Sequence, residues 1–370
     1  MLDGAGEELI QVILPRLAAR AGVSHLATRI QTSLRADLEP LFAGAAKPEI
    51  EVSSSLTAGN YPVEIGAILD DGYPVGVKHT VDLFPDCGGA AGAKTTAAML
   101  ADARLRTGSR ESWSDLDEYL APVAAAALGG LRSIYLSRTH LSGSEPTTKI
   151  YLVGQPGALD QSVVEVVARA AATDVSVEPV LSAMTALGKN AVDSIGLAVN
   201  AGRVTGCKCY LVLPYLDFGL VKSLVHALDL SVGRALALAR WFRLFIGPHW
   251  GRIGSVGVGL ELRHRRADVG VEAYTFPTPH HIAKLAGAID ALCGPASTDR
   301  SGGSTAERLS QSWRDCDTTS MYLCGCGVEV GRFARLGRGT IYFGVAKGRE
   351  SRTQSAAARF ALEARPESPP

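Results

Sequence analysis

The sequence predicts an α+β fold in which a closed ten-stranded antiparallel β-barrel lies inside a ring of helices and holds a ligand in its lumen. Three observations lead to this prediction. Apolar segments with strand character form five hairpin pairs, two helical segments precede each hairpin, and several strands are polar on one face only. Five αα-ββ units therefore follow one another along the chain. Ten antiparallel strands would leave unpaired edges unless the sheet closes, and a ten-stranded barrel is wide enough for a ligand.

The chain is predicted to fold as a single domain, 1–370, with three parts. Residues 1–48 have apolar and charged residues at helical spacing and predict two N-terminal helices. Residues 49–348 supply the barrel, and residues 349–370, with prolines and scattered charge, predict a flexible tail. The five predicted hairpins are 62–69 with 75–84, 131–138 with 147–154, 194–200 with 206–213, 255–264 with 268–276, and 319–330 with 338–346.

Pairs of helices are predicted between consecutive hairpins. Antiparallel hairpins need no crossover helix, so these helices are free to cover the outside of the sheet. Capping signals support several of them: Ser114 and Asp117 form a capping box, Ser231 is placed as an N-cap, and Pro279 suits a first turn. The predicted helices are 93–107, 114–128, 158–172, 178–187, 216–228, 232–245, 278–292 and 304–313.

Composition excludes several classes of protein. With 37 basic and 37 acidic residues, the chain lacks the excess positive charge of a nucleic-acid-binding surface. The least polar stretch, 119–131, contains Pro122 and is too short to span a membrane, and residues 1–8 lack the basic start of a signal peptide. The odd number of cysteines, 7, predicts free thiols in a reducing cytoplasm.

A Lys-x-Tyr pattern occurs in two predicted strands, at Lys149 and Tyr151 and again at Lys208 and Tyr210. Side chains alternate along a strand, so lysine and tyrosine share one face while the apolar residues share the other. One such strand alone is more simply an amphipathic strand with a solvated lysine. Lys78 lies on the polar face of a third strand, and three lysines around one interior suit a polyanion such as diphosphate.

The repeated αα-ββ units with these strands resemble the aromatic (indole) prenyltransferases of the prenyltransferase-barrel (ABBA) fold, dimethylallyltryptophan-synthase type, bacterial branch. The sharpest match is Ser-Leu-Thr at 55–57 followed by Pro-Val-Glu at 62–64. The resemblance implies that Glu64 binds an indole N–H and takes up the proton released on substitution. It also implies that Lys78 replaces the family's usual arginine at the diphosphate. The two Lys-x-Tyr pairs match the family's next two diphosphate-binding strands.

The sequence also departs from the family pattern. Gly206 stands where relatives often have arginine, so that cation is either missing or replaced by Arg203 or Arg263. Glu272 and Tyr274 stand where the family has a polar residue followed by an aromatic one. Further residues expected in the pocket are Tyr342, on the last strand, and Tyr322, on the ninth.

No metal or other cofactor is expected. Magnesium-dependent prenyl synthases carry an Asp-Asp-x-x-Asp motif on a helix, whereas Asp70 and Asp71 are followed by a turn without the third aspartate. A zinc site could be imagined at the Cys-x-Cys pairs 207/209 and 324/326, but this spacing within strands is more typical of small buried residues. Lysines and tyrosine hydroxyls would instead stabilise the departing diphosphate.

The sequence-based hypothesis is a cytoplasmic, monomeric enzyme of secondary metabolism, with a small aromatic acceptor and a prenyl diphosphate as its partners. It would transfer a prenyl group, with dimethylallyl favoured over geranyl, to an indole or tryptophan-derived acceptor without a metal. Two alternatives stay open at this point. The same fold could act on a phenolic acceptor, by C- or O-prenylation, or the barrel could bind a hydrophobic ligand without chemistry.

Overall fold

The barrel closes as predicted. The computed structural model describes residues 2–43, 54, 56, 60–70, 73–83, 130–171, 176–200, 203–246, 254–263, 270–277, 285, 287–289, 291, 309, 319–331 and 336–347. Ten strands form one closed antiparallel sheet. They are β1 (Asn60–Asp70), β2 (Tyr73–Asp82), β3 (Leu131–Leu141), β4 (Thr147–Gly154), β5 (Ser194–Asn200), β6 (Arg203–Leu213), β7 (Gly254–Arg263), β8 (Gly270–Pro277), β9 (Thr319–Val330) and β10 (Leu336–Lys347).

Each barrel strand pairs with its neighbours in the sequence, and β1 pairs with β10 to close the ring. The closing register places Gly66 opposite Tyr342, and the next pair of strands places Gly66 opposite Lys78. The predicted hairpins are therefore confirmed, with shifts of a few residues at their ends. The largest shifts, of three residues, are at the start of β6, which begins at Arg203, and at the end of β3, which extends to Leu141.

The described helices pack against the outside of the barrel. They are α1 (Gly4–Glu8), continued by a π-helical turn (Leu9–Ile13) into α2 (Leu14–Arg20), a 3₁₀ turn (Ser24–Leu26), α3 (Ala27–Ala43), α4 (Gln161–Ala171), α5 (Glu178–Ala186), α6 (Phe218–Ala227) and α7 (Val232–Trp241) with a final π turn (Phe242–Ile246). None of these helices is long and apolar enough to cross a membrane. The helices predicted at 93–107 and 114–128 lie outside the described residues, and so do most of those at 278–292 and 304–313.

Three local features differ from the sequence-based prediction. Ser231 precedes α7, but its side chain makes no capping hydrogen bond; Asp217 does cap α6, by accepting from the backbone N–H of Leu220 at 2.8 Å. A separate two-stranded ribbon, Leu159–Asp160 with Ala191–Val192, was not predicted. Strands of two residues carry too short a pattern to be recognised in a sequence.

The main core lies between the barrel and the helices. On β1, Val63, Ile65 and Ala67 are fully buried in the same apolar cluster as Val163 and Val167 of α4. This is the inverse of a small barrel with an apolar interior, since the outward face of the strands is the apolar one. The inward face is thereby left free for polar side chains.

One polar cluster interrupts this outer core, where α3 crosses β2 and β3. Asp37 of α3 accepts hydrogen bonds from His79 Nε2 at 3.0 Å and from Arg138 Nε at 2.9 Å. His140 stacks on His79 with 5.5 Å between ring centroids. Burial is the main cause that lowers the pKa of His140, to about 3, so its ring is neutral near pH 7. The cluster fixes α3 on the barrel.

Candidate active site in the barrel lumen

Alternate residues of the barrel strands meet in the lumen. Cross-strand register shows which of them share a level: Lys78 and Tyr342 both lie opposite Gly66, while Tyr151 and Lys208 both lie opposite Gly196. The structure places the following sequence-predicted site residues on this inner face: Glu64, Lys78, Lys149, Tyr151, Lys208, Tyr210, Glu272, Tyr274, Tyr322 and Tyr342.

Four tyrosines form a continuous aromatic belt around the lumen. Ring centroids are 5.6 Å apart between Tyr151 and Tyr210, 5.7 Å between Tyr210 and Tyr274, and 6.4 Å between Tyr274 and Tyr342. Phe276 extends the belt, stacked on Tyr274 at 6.2 Å. Burial raises the pKa of Tyr210, Tyr274 and Tyr342 well above the ordinary tyrosine value, so these phenols keep their protons and can donate hydrogen bonds.

Glycines make room for this belt. A Cβ atom at Gly259 would lie 2.7 Å from Lys208 Cε and 3.0 Å from a ring carbon of Tyr274, and one at Gly327 would lie 2.6 Å from that ring. A Cβ at Gly196 would also lie only 3.1 Å from a tyrosine ring. The tyrosine rings lie directly over these glycines, so a residue with a Cβ atom at the same position would displace a ring. Glycines within apolar strands were a sequence signal for this belt that pattern analysis missed.

Lys78 connects two sides of the belt. Its ammonium donates a hydrogen bond to Tyr151 Oη at 3.3 Å and lies 5.5 Å and 5.2 Å from the ring centroids of Tyr151 and Tyr342. Burial raises the pKa of Tyr151, but the ammonium groups of Lys78 and Lys149, together with a hydrogen bond to Tyr210, outweigh it, so the pKa lies below the ordinary tyrosine value of 10.0. The lumen therefore already stabilises negative charge on oxygen at this point.

Lys208 is the most enclosed of the three lumen lysines. It is 6% exposed, with its ammonium 5.6 Å from the Tyr210 ring and 5.7 Å from the Tyr274 ring, and it forms an ion pair with Glu272. Burial lowers its pKa, as do Lys149 and Lys78, whereas Glu261 raises it. The sequence placed Glu272 near the pocket but did not predict this ion pair.

Glu64 lies in the lumen beyond the lysines, on β1. It is partly buried, and Cys324 Sγ lies 3.9 Å from its Oε2 as a weak donor. Burial raises the pKa of Glu64 to about 7, because the neighbouring ammonium of Lys78 and the thiol compensate the charge only in part. A carboxyl with a pKa near 7 is suited to accept and release a proton at neutral pH.

Cys324 lies in the lumen, and the pairing of β9 is irregular at this residue. The register between β9 and β10 shifts between Leu323 and Gly325, so Cys324 is the extra residue of a bulge. Its pKa is raised well above the ordinary value, mainly by burial, so the thiol stays protonated. Cys326 is buried on the outward face, as are Cys207 and Cys209 of β6, so the two Cys-x-Cys pairs do not converge. Within the described ranges, no three His, Cys, Asp or Glu side chains are grouped to hold a metal.

Two further predicted residues are placed with less detail. Tyr322 lies opposite Gly344, which is also opposite Glu64, so it lines the Glu64 end of the lumen. Arg263 lies directly opposite Gly206 in the β6–β7 register, which is the position for a replacement cation, but its side chain lies outside the described residues. Glu261 and Glu329, at the Lys208 end, were not predicted.

The comparisons agree on the fold. No protein-family model and no curated protein matches the chain, whereas 64 chains of solved structures do. The apo form of the prenyltransferase PriB has a TM-score of 0.66 at 16% identity, over 94% of this chain and 99% of that chain. The 6-dimethylallyltryptophan synthase from Micromonospora olivasterospora, in complex with DMASPP and Trp, has a TM-score of 0.62 at 15% identity, over 89% and 94%.

A third structure agrees with these two. The 5-dimethylallyltryptophan synthase from Streptomyces coelicolor has a TM-score of 0.62 at 18% identity, over 92% of this chain and 96% of that chain. The chain therefore has the closed prenyltransferase-barrel fold, and the predicted fold class is confirmed.

Proposed function

We propose that the protein is an aromatic prenyltransferase that moves a prenyl group from its diphosphate to a small aromatic acceptor. The observation that carries the proposal is the joint presence, in one closed lumen, of an ammonium group bound to a phenol, a continuous tyrosine belt and a carboxyl with a pKa near 7. Each of these groups meets one requirement of the reaction. The shared fold with dimethylallyltryptophan synthases and PriB supports the same assignment.

The first step is ionisation of the donor. The bond between C1 of the allylic group and the bridging oxygen breaks, and both electrons leave with the diphosphate. Fixed cations and hydroxyl donors stabilise the leaving group as its charge develops. Lys78, Lys149 and Lys208 supply the charge in this mechanism, and the protonated phenols of Tyr210 and Tyr274 supply hydrogen bonds.

The second requirement is to keep the allylic cation from water. Tyrosine faces attract a cation through their ring electrons and do not react with it as readily as water does. The belt from Tyr151 to Tyr342 encloses the lumen next to the lysines, so a cation formed there meets aromatic faces.

The third step is attack by the acceptor ring on C1 and loss of the ring proton. Glu64 is the base in this mechanism, because its carboxyl is in the lumen and its pKa is raised to about 7 by burial. An acceptor N–H donating to Glu64 would hold the ring between the carboxylate and the donor. Among the similar structures, the Streptomyces coelicolor synthase and PriB are in complex with tryptophan, and NotF is in complex with brevianamide F. These ligands favour an indole acceptor and a dimethylallyl donor over phenolic acceptors and geranyl.

The test is release of diphosphate from dimethylallyl or geranyl diphosphate, with and without L-tryptophan, a tryptophan-containing cyclic dipeptide or a phenol, in EDTA and then in Mg²⁺. We expect release that depends on the indole acceptor and persists in EDTA, with a prenylated product of matching mass. Dependence on a phenol instead would keep the enzyme class and change the acceptor. No release with any acceptor, with tight donor binding, would identify a ligand-binding barrel and contradict the proposal.

A further inference from the structure

Glu272 is a carboxylate within the cationic end of the lumen. It forms an ion pair with Lys208, and the two side chains are only 15% and 8% exposed. The rings of Tyr210 and Tyr274 flank the same ammonium, and Glu272 is a charged group in direct contact with it. A side chain of the protein itself thus occupies the anion site at Lys208.

Two more carboxylates lie nearby. Glu261 is the cross-strand partner of Lys208, and Glu329 is the cross-strand partner of Glu272. Both raise the pKa of Lys208, which places their charges within reach of the ammonium that Glu272 contacts. A diphosphate entering here meets an ammonium that is already neutralised and a carboxylate that repels it.

We propose that Glu272 is a specificity-determining residue that competes with the diphosphate for Lys208 and must leave the ammonium when the donor binds. This inference rests on the proposed function. Its consequence is that donor affinity is lower than the three lysines alone would give. The same competition assists release of the diphosphate product, since the carboxylate returns to Lys208.

The first experiment is calorimetric titration with inorganic pyrophosphate in EDTA at one pH. Wild type is compared with Glu272→Gln, and the matched control is Glu329→Gln, which removes the same charge from the neighbouring strand and leaves Glu272 in place. We expect Glu272→Gln to bind pyrophosphate about tenfold more tightly, as for a freed charge-assisted contact, and Glu329→Gln to change affinity by less than about threefold.

A double-mutant cycle with Lys208→Gln tests the mechanism, because the gain from Glu272→Gln should disappear when Lys208 is absent. A gain that persists, or an equal gain in Glu329→Gln, would show general electrostatics and overturn the inference. Circular dichroism and the thermal midpoint check that each variant is folded. Equal affinity in wild type and Glu272→Gln overturns this inference alone, whereas no pyrophosphate binding by any folded variant also overturns the proposed function.

Discussion

Two buried carboxyls of this protein, Glu64 in the lumen and Asp37 under α3, show opposite responses to burial. Asp37 is 3% exposed, and burial tends to raise its pKa, but hydrogen bonds and charge from His79 and Arg138 outweigh that effect and lower it. Glu64 has the ammonium of Lys78 nearby and a weak thiol donor, and its pKa rises to about 7. The outer carboxyl is fully compensated and holds a helix in place. The inner one is compensated only in part, which leaves it basic enough for proton transfer.

The largest expected effect is on turnover. Glu64→Gln keeps the shape of the side chain and removes the base, so the rate of prenyl transfer should fall by about 10²- to 10⁴-fold. Donor binding should change little, because the lysines and the tyrosine belt are intact. The measurement is kcat and the donor Kd, with Glu165→Gln on the outer helix α4 as the matched control.

A Glu64→Gln variant that turns over like the control would show that another group takes the proton. A variant that loses donor binding together with turnover would place Glu64 at the donor instead.

Asp37→Asn should act on stability. Removing one partner of a buried ion pair leaves His79 and Arg138 without their anion, and such changes cost about 3–5 kcal/mol in the free energy of unfolding. The control is Asp70→Asn, because Asp70 pairs with Arg338 at the surface and an exposed pair contributes about 0–1 kcal/mol.

The measurement is urea unfolding of both variants at pH 7. Equal losses in the two variants would contradict the view that Asp37 is the compensated, structural carboxyl.

The pH dependence of stability should separate the two carboxyls further. The pKa of Glu64 is raised from 4.5 to about 7 on folding, so the folded state binds the extra proton. The contribution of Glu64 to the free energy of unfolding is fully present below pH 4.5 and is lost as the pH rises through 7. The loss is about 3 kcal/mol in all. The pKa of Asp37 is lowered, so its stability is present above pH 3.8 and is lost as the pH falls through its folded pKa.

Unfolding free energies at pH 4, 6 and 8 test this. Glu64→Gln should be close to wild type at pH 4 and more stable than wild type at pH 8. A difference that does not change with pH would mean that Glu64 has the same pKa in the folded and unfolded states, and its assignment as a base near neutrality would fail.

The strands could be predicted well from the sequence, because the alternation of polar and apolar residues that identifies a strand is local. Alternation along β4 and β6 indicated which residues face inwards, and Lys149, Tyr151, Lys208 and Tyr210 lie there. What could not be predicted depends on register between strands far apart in the sequence. The ion pair of Lys208 with Glu272 needs the alignment of three strands, and the contact of Asp37 with His79 needs the docking of a helix onto the barrel.

The outward position of Cys326 is the clearest example of information missing from the sequence. Strict alternation from Tyr322 would place Cys324 inwards and Cys326 inwards too, whereas the bulge in β9 places Cys324 in the lumen and Cys326 in the outer core. A bulge changes the alternation by one residue and has no pattern of its own in this segment. That Cys324 and Cys326 lie on opposite faces of β9 was therefore found only in the structure.

The smallest predicted effect concerns the thiol of Cys324, which lies next to Glu64. Cys324 lowers the pKa of Glu64, so Cys324→Ala should raise that pKa and move the acid limb of the kcat–pH profile upwards by a few tenths of a pH unit. Cys326→Ala, two residues away and facing outwards, is the matched control and should leave the limb in place. A shift that is equal in both variants would mean a general loosening of β9. A shift in Cys324→Ala alone would show that even this weak thiol donor changes the pKa of Glu64. The pKa of Asp37, by contrast, is set by strong hydrogen bonds and charge from His79 and Arg138.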